Sequence, residues 1–283
     1  MTKTVVHSQY VAGIALVITA AVTYSTAGLF TKGVDAGAWD VIFWRGFFAA
    51  LFTTAWTVQR RAFVRNFVGI GYSGWAVAIV GALGTAAFIS AFKLTTIANV
   101  SIIYAVAPLI AALLAWLFIG EQVTRRTVMG CIGALLGVAI IVWGSFGQIS
   151  LNGDILALLM TTAMATIMVI YRKHPDTPGA GPSVLQSLLL LPFAIMLGDP
   201  FAVSGTEICV LAAFGILFAV ASVTLAEGAK RVPSGQTALL STLETPLAPV
   251  FAFIVFTEVP GIATFVGGLV VLAAVLLSIR RDT

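Results

Sequence analysis

Long apolar runs alternate with short polar segments along the whole chain. The runs are about 20 residues long, which is the length that an α-helix needs to cross the hydrocarbon core of a bilayer. Charged residues, prolines and glycines close them. The pattern predicts an all-α membrane protein with ten transmembrane helices, at about 10–31, 39–58, 73–92, 97–118, 126–143, 153–171, 182–198, 207–226, 236–256 and 260–279. Pro182 and Pro192 make the seventh run the shortest, and the first run is long for a cleaved signal peptide.

Composition supports an integral membrane protein. Hydrophobic residues make up 60% of the 283 residues and charged residues only 9%, whereas a soluble domain carries about 25% charged residues. The mean hydropathy is +1.07. In such a chain the net charge of +4 does not indicate a nucleic-acid partner, because basic residues have to be assigned to individual loops. Cys131 and Cys209 lie in apolar runs without metal-ligand or redox spacing, which indicates packing residues.

The basic residues define an orientation in the membrane. With ten spans, Lys32 and Lys93 fall on one side, and Arg45 lies within the second span. The other 12 of the 15 basic residues fall on the opposite side, namely Lys3, Arg60, Arg61, Arg65, Arg125, Arg126, Arg172, Lys173, Lys230, Arg231, Arg280 and Arg281. Cytoplasmic loops carry the excess of Lys and Arg, so both termini are expected in the cytoplasm.

The chain contains an internal repeat. Residues 91–130 match residues 228–267 at a constant offset of 137, and Pro108 falls one position short of Pro246. The matched pairs are Lys93 with Lys230, Asn99 with Gln236, Glu121 with Glu258, and Gly130 with Gly267. Five spans per repeat is an odd number, so the second copy enters the membrane upside down. The predicted repeats are 1–147 and 148–283, and inverted repeats of this kind are typical of secondary transporters.

Two stretches carry a resemblance to a known family. ANVSIIYAVAPLIAALLAWLFIGEQVT, residues 98–124, resembles the end of the repeat in the EamA family of the drug/metabolite transporter superfamily. FWRGFFAALF, residues 43–52, resembles the second helix of that family, with Arg45 at its recurrent arginine. The resemblance covers residues 10–279 and implies that the protein is a transporter. Within the family, the chain is similar in length and number of spans to the bacterial YddG-type amino-acid exporters. The second repeat departs from the family pattern at FTEVPG, residues 256–261, which leaves the end of the ninth helix undefined.

A carboxylate lies near the middle of the ninth span. Glu244 is about 12 Å from the start of that helix in a core about 30 Å thick. A charge at this depth is costly and is expected to face a wet cavity, to pair with a cation or to be protonated. Ser241, Glu244 and Thr245 share one helix face, whose repeat equivalents begin at Tyr104. The alternative is a structural carboxylate bound to a neighbouring helix.

Other candidate residues are polar or aromatic groups in the spans. Pro108 and Pro246 mark paired bends, which are interpreted either as gating points or as static kinks. Thr26 and Thr162 are candidates for the cavity wall, although threonines in membrane helices usually bond to their own backbone. Arg45 could pair with Glu244 or extend toward the membrane surface. The remaining substrate-binding candidates are Tyr24, Phe88, Asn99, Ser101, Tyr104 and Gln186, of which Gln186 occupies the place of Arg45 in the second repeat.

These features favour a secondary carrier in the bacterial inner membrane that exports small metabolites, with amino acids, including aromatic ones, as the expected substrate class. The same fold also serves multidrug and nucleotide-metabolite carriers, and that alternative stays open. The spans contain no phosphate loop or zinc motif, and Glu244 has no catalytic partner in the sequence, so no enzyme, cofactor, metal or nucleic-acid partner is expected. The substrate, the coupling to protons, the resting conformation and the oligomeric state are not defined by the sequence.

Overall fold

The computed structural model describes residues 3–95, 97–142, 150–256 and 261–279, and over these residues every regular element is helical. The first half of the chain contains α1 (Lys3–Tyr24), α2 (Ala27–Lys32), α3 (Ala38–Gln59), α4 (Phe63–Phe67), α5 (Gly71–Leu94), α6 (Ile97–Tyr104), α7 (Ala107–Ile119) and α8 (Arg125–Ile141). The second half contains α9 (Leu151–Lys173), α10 (Ala180–Leu197), a 3₁₀ turn (Pro200–Ala202), α11 (Gly205–Ala229), α12 (Ser234–Ser241), α13 (Glu244–Phe256) and α14 (Ile262–Ile279).

Each predicted span coincides with one helix or with two successive helices. The first, fourth and ninth spans are divided, as α1 and α2, α6 and α7, and α12 and α13. Pro108 and Pro246, where the sequence predicts paired bends, lie next to the divisions of the fourth and ninth spans. For the first span the sequence predicts one helix over 10–31, and the structure corrects it to two. Within the part of the chain that the structure describes, eight segments are long and apolar enough to cross a membrane. Helix α8 has only 17 residues, and the apolar part of α14, Ile262–Ser278, is also shorter than these segments. Ten crossings therefore stay a prediction.

Capping side chains define several of these helix ends. The Ser204 hydroxyl accepts a hydrogen bond from the Glu207 amide, and the Glu207 carboxylate accepts one from the Ser204 amide, so that both satisfy free donors at the start of α11. The same carboxylate accepts a bond of 2.8 Å from the amide of Asp35, which attaches the loop before α3 to α11. Gly120 ends α7 in the left-handed conformation, with φ of 64°, which glycine adopts without steric cost.

The helix bounds repeat along the chain. The bounds of α12 and α13 reproduce those of α6 and α7 at the offset of 137, residue for residue. In the same way α14 begins 137 residues after α8, as the sequence comparison of the two halves predicts for this part of the repeat. The break in each repeat therefore falls at the same point of the backbone.

Helices of one half pack mainly against helices of the other. The most extensive contacts join α8 to α14, α5 to α9, α3 to α10 and α1 to α11. In the first pair Gly130 lies against Ala274, whereas Gly137 lies against Gly267, so the two helices run antiparallel. An antiparallel pair of equivalent helices is the arrangement that two inverted repeats produce. The close approach at Gly137 and Gly267 is typical of small residues at contacts between membrane helices.

The outer faces of the helices are apolar. Leu113 and Phe118 on α7, and Phe265 and Leu276 on α14, are all more than half exposed. In water, apolar patches on this scale would promote aggregation. In a bilayer they contact lipid, while the polar side chains described below lie inside the helix bundle.

Candidate functional site

The three helix breaks lie close together. α1 contacts α12 and α13, and α12 in turn contacts α7. Tyr24 is the last residue of α1, Tyr104 the last of α6 and Ser241 the last of α12. The three breaks therefore bring the ends of half-helices from both repeats to one region of the bundle.

Each break has a local cause. Pro108 and Pro246 lie in the first turns of α7 and α13, where proline is tolerated, but neither can donate a bond to the carbonyl four residues earlier. The break between α1 and α2 contains no proline. There the hydroxyls of Ser25 and Thr26 donate to the carbonyls of Val22 and Thr23, at 2.6 and 2.7 Å. Such bonds to the preceding turn compete with the helix ladder and bend it.

Glu244 is the first residue of α13 and is half-buried. The Tyr104 side chain is buried and has a hydrogen-bonding interaction with the Glu244 carboxylate. The Tyr24 side chain lies within electrostatic range of Glu244 and also of Arg45. The sequence candidates Tyr24, Arg45, Tyr104 and Glu244 thus form one group, which we call the central cluster.

Arg45 is enclosed by aromatic rings. It is 4% exposed, and its guanidinium carbon lies 4.2 Å from the ring centre of Phe218 and 5.4 Å from that of Phe214. Within the described part of the chain the guanidinium makes no ion pair with Glu244 or another carboxylate. Its Nε atom is buried without a hydrogen-bond partner. The direct Arg45–Glu244 pair and the extension of Arg45 to the membrane surface are therefore both wrong, because the side chain lies against α11.

Gln186 occupies the equivalent place in the second repeat but has a different environment. Its amide donates a hydrogen bond of 2.9 Å to the Thr85 hydroxyl on α5. Its side chain also packs directly onto Gly81, where any larger residue would collide with it. Gln186 thus links α10 to α5 and lies apart from the contacts that define the central cluster.

The candidate threonines bond to their own helices. Thr26 donates to Thr23 as described, and the Thr162 hydroxyl donates to the carbonyl of Leu158 at 2.9 Å. Both side chains remain partly accessible. The hydroxyl protons are already used, so only the oxygen lone pairs of these groups are free to accept from a substrate.

The remaining candidates have varied positions. Ser241 is buried and donates to the carbonyl of Thr237 at 3.0 Å, and Thr245 is half-buried beside Glu244. Phe88 packs edge-on against Phe92, between two apolar clusters. The side chains of Asn99 and Ser101 lie outside the described part of the structure, as does Glu258.

Sequence reasoning missed the aromatic wall of the cluster. Phe214 and Phe218 lie one helical turn apart on α11, and Phe218 also packs edge-on against Tyr24 with ring centres 6.2 Å apart. Their spacing puts them on one helix face. However, nothing in the sequence indicates that this face is opposite Arg45, because α3 and α11 are about 150 residues apart along the chain.

A second polar group joins the repeats at the predicted cytoplasmic end. Glu121 forms an ion pair with Arg172, with 3.2 Å between Oε1 and Nε, and accepts a bond of 3.1 Å from the Ser234 amide. Arg172 also donates to the Lys230 carbonyl at 3.2 Å. These contacts connect the end of α7, the end of α9 and the start of α12. Among the described residues, no group of three His, Cys, Asp or Glu side chains is placed to hold a metal.

The fold and the cluster define a class of protein, namely a multi-pass membrane transporter with two similar halves. Comparisons with known proteins agree. The model of the EamA-like transporter family matches twice, at residues 11–143 and 151–280. The chain therefore belongs to the EamA-like transporter family, as its resemblance in sequence indicates, and that family consists of transporters rather than enzymes.

Two individual proteins are similar over nearly the whole chain. An uncharacterized transporter of Archaeoglobus fulgidus is 25% identical over 261 residues, which cover 86% of this chain and 88% of the relative. One crystal structure superimposes with a TM-score of 0.83 at 19% identity and covers 94% of this chain and 96% of its own. The second likeness concerns the fold alone.

Proposed function

We propose that the protein is a secondary carrier that exports small metabolites, with amino acids, including aromatic ones, as its substrate class. The observation that carries the proposal is the central cluster, in which a carboxylate, two tyrosines and an arginine lie at the meeting point of three broken spans. The two halves, 1–147 and 148–283, act as inverted repeats around this cluster.

Broken helices favour a carrier over a simple pore. In secondary transporters, substrate sites near the middle of the membrane are formed by discontinuous helices, whose free backbone groups can bind the substrate. Here the breaks in α6/α7 and α12/α13 are equivalent under the repeat. Exchange of conformations between the two halves would expose the cluster to either side of the membrane in turn.

The chemistry of the cluster suits an ammonium group. A half-buried carboxylate in a bilayer is costly, by about 2.5 kcal/mol or more on insertion scales, unless it has a partner. The Tyr104 hydroxyl is one hydrogen-bonding partner of Glu244, and a substrate cation would be another. The rings of Tyr24 and Phe218 offer an apolar surface for a side chain beside it.

The orientation follows from the charges. The Arg172–Glu121 ion pair lies at the end of the bundle that carries most basic residues. We assign this end and both termini to the cytoplasm, and the protein to the inner membrane of a bacterium. The contacts of Glu121 then close the cytoplasmic side of the bundle.

Counterflow in proteoliposomes tests the proposal. Liposomes are preloaded with one unlabelled amino acid at a time, and the uptake of labelled tracer is followed, with protein-free liposomes as the blank. A carrier of amino acids gives accelerated and saturable uptake for at least one member of the panel. Silence across the panel, from protein that elutes as a folded species, contradicts the amino-acid assignment and points to a drug or nucleotide-metabolite substrate. Uptake that neither saturates nor responds to preloading indicates a pore.

A further inference from the structure

Arg45 is buried without a carboxylate partner among the described residues. The residue is 4% exposed, and its Nε atom has no hydrogen-bond partner. The described residues offer its guanidinium two aromatic faces, those of Phe214 and Phe218, but no carboxylate within ion-pair distance. A guanidinium has five N–H donors in a planar fork and stays charged in proteins.

Aromatic faces alone do not balance a buried arginine. Cation–π contacts act through the electrostatic attraction of the rings and use none of the N–H donors of the guanidinium. A buried charge is costly unless it is paired and hydrogen-bonded. Phe214 and Phe218 therefore hold the Arg45 guanidinium in place, while its Nε–H donor is free to bind an acceptor on another molecule.

The charge is not needed for packing at this position of the fold. Gln186, at the equivalent position of the second repeat, is neutral and satisfies its amide with the Thr85 hydroxyl at 2.9 Å. A shorter side chain without a charge thus suffices between the equivalent helices of the second repeat, α10 and α5. What Arg45 adds is a positive charge within the bundle.

We propose that Arg45 binds the carboxylate of the transported molecule, while Glu244 binds its ammonium group. This inference rests on the proposed function and names the substrate class more narrowly, as a small molecule that carries both a carboxylate and an ammonium group. Planar guanidinium and carboxylate groups match each other in paired hydrogen bonds. Tyr24 lies within electrostatic range of both charges, which places them on the same side of the cluster as one tyrosine side chain.

Three probes separate the two charges: L-phenylalanine, L-phenylalanine amide, which lacks the carboxylate, and 3-phenylpropanoate, which lacks the ammonium group. The measurement is the shift in the thermal unfolding midpoint that each probe causes in purified wild-type protein, Arg45→Gln, Arg45→Lys and Glu244→Gln. Gln186→Leu serves as the matched control at the equivalent position. Counterflow of phenylalanine is measured with the same variants in proteoliposomes.

We expect Arg45→Gln to bind phenylalanine and 3-phenylpropanoate at least about tenfold more weakly, because a buried charge pair is lost. Binding of the amide should be unchanged in this variant. Glu244→Gln should show the reverse preference, with weakened binding of the amide and unchanged binding of 3-phenylpropanoate. Arg45→Lys should fall between wild type and Arg45→Gln, since an ammonium group cannot form the paired bonds of a guanidinium. Gln186→Leu should bind all three probes as wild type does.

Equal binding of 3-phenylpropanoate by wild type and Arg45→Gln overturns the inference, and so does the absence of any carboxylate-dependent shift in wild type. If Arg45→Gln does not fold, weaker binding of both carboxylate probes by Arg45→Lys supports the inference and unchanged binding refutes it.

Failure of the Arg45 inference can be distinguished from failure of the proposed carrier function. Counterflow of phenylalanine that is unaffected in both Arg45 variants leaves the carrier and removes the role of Arg45. Loss of carboxylate binding in Arg45→Gln, with no amino-acid counterflow in wild type, leaves the anion site and removes the amino-acid carrier.

Discussion

The two halves of the molecule have the same backbone break in their fourth helices but differ in charge. The break in the fourth span and the break in the ninth fall at equivalent residues, yet the first residue after the break is Ala107 in one and Glu244 in the other. Conversely, the first repeat has Arg45 where the second has Gln186. Each half thus contributes one charged residue to the central cluster, Arg45 from the first and Glu244 from the second. The shared geometry suits an exchange of conformations between halves, whereas the unequal charges suit a substrate that binds in one orientation.

The first span and its repeat partner show a further difference. The first span is divided after Tyr24, whereas α9 runs unbroken from Leu151 to Lys173. Both carry threonines at helical spacing, but only the first span has the Ser25 and Thr26 bonds at its break. The break places Tyr24, a member of the central cluster, at the end of α1.

The largest expected effect comes from making the second repeat resemble the first. Gln186→Arg places a charge where the contacts of Gln186 are a glycine, Gly81, and the neutral hydroxyl of Thr85. An uncompensated buried charge costs about 4 kcal/mol, and the free energy of unfolding in detergent should fall accordingly. Gln186→Met, of similar size, should cost only about 1 kcal/mol, since it leaves the Thr85 hydroxyl without its partner. A folded Gln186→Arg protein with wild-type stability would show that the two positions are interchangeable.

The symmetric contact between α8 and α14 should be nearly as sensitive. A Cβ atom at Gly267 would collide with the backbone oxygen of Gly137, and neither backbone can move without shifting its helix. Gly267→Val should therefore lower the free energy of unfolding by about 3 kcal/mol. Gly28→Ala is the matched control, because no atom lies within 4 Å of the added Cβ atom there, and its stability should stay within about 1 kcal/mol of wild type. Equal losses in the two variants would contradict the close helix approach.

The link at the cytoplasmic end should have a smaller effect. Glu121 and Arg172 are partly exposed, at 18% and 32%, so solvent screens their ion pair. Glu121→Gln should cost about 1 kcal/mol of stability. A double-mutant cycle with Arg172→Gln gives the coupling energy of the pair, and additive losses would indicate that the two side chains act independently.

The smallest effect is expected at the threonines. Thr162 bonds to the carbonyl of its own helix at Leu158. Replacement by valine keeps the shape, and both stability and the KM for counterflow should stay close to wild type, with a change in stability below about 0.5 kcal/mol. An increase in KM by a large factor would place Thr162 in contact with the substrate and extend the site to α9.

Most of the fold could be predicted from the sequence, because apolar runs of membrane length and the offset of 137 are local or periodic signals. Glu244 could be singled out for the same reason, since a carboxylate in an apolar helix is conspicuous. The break after Tyr24 could not be predicted, because whether a serine or threonine hydroxyl bonds to the backbone or to solvent depends on the folded structure. The position of Arg45 against Phe214 and Phe218 could not either, because it depends on how distant helices pack. Both interpretations of Arg45 from the sequence, a pair with Glu244 or an extension toward the membrane surface, failed for this reason.

Counterflow with Glu244→Gln tests most directly whether the central cluster is the transport site. Asp176→Asn is the matched control, because Asp176 lies in an exposed turn outside the helices. The account predicts that a substrate transported by wild type and by Asp176→Asn shows no accelerated uptake with Glu244→Gln, although that variant is folded and reconstituted to the same density. Wild-type counterflow by Glu244→Gln would contradict the account, because the carboxylate would then be structural and the substrate would bind elsewhere.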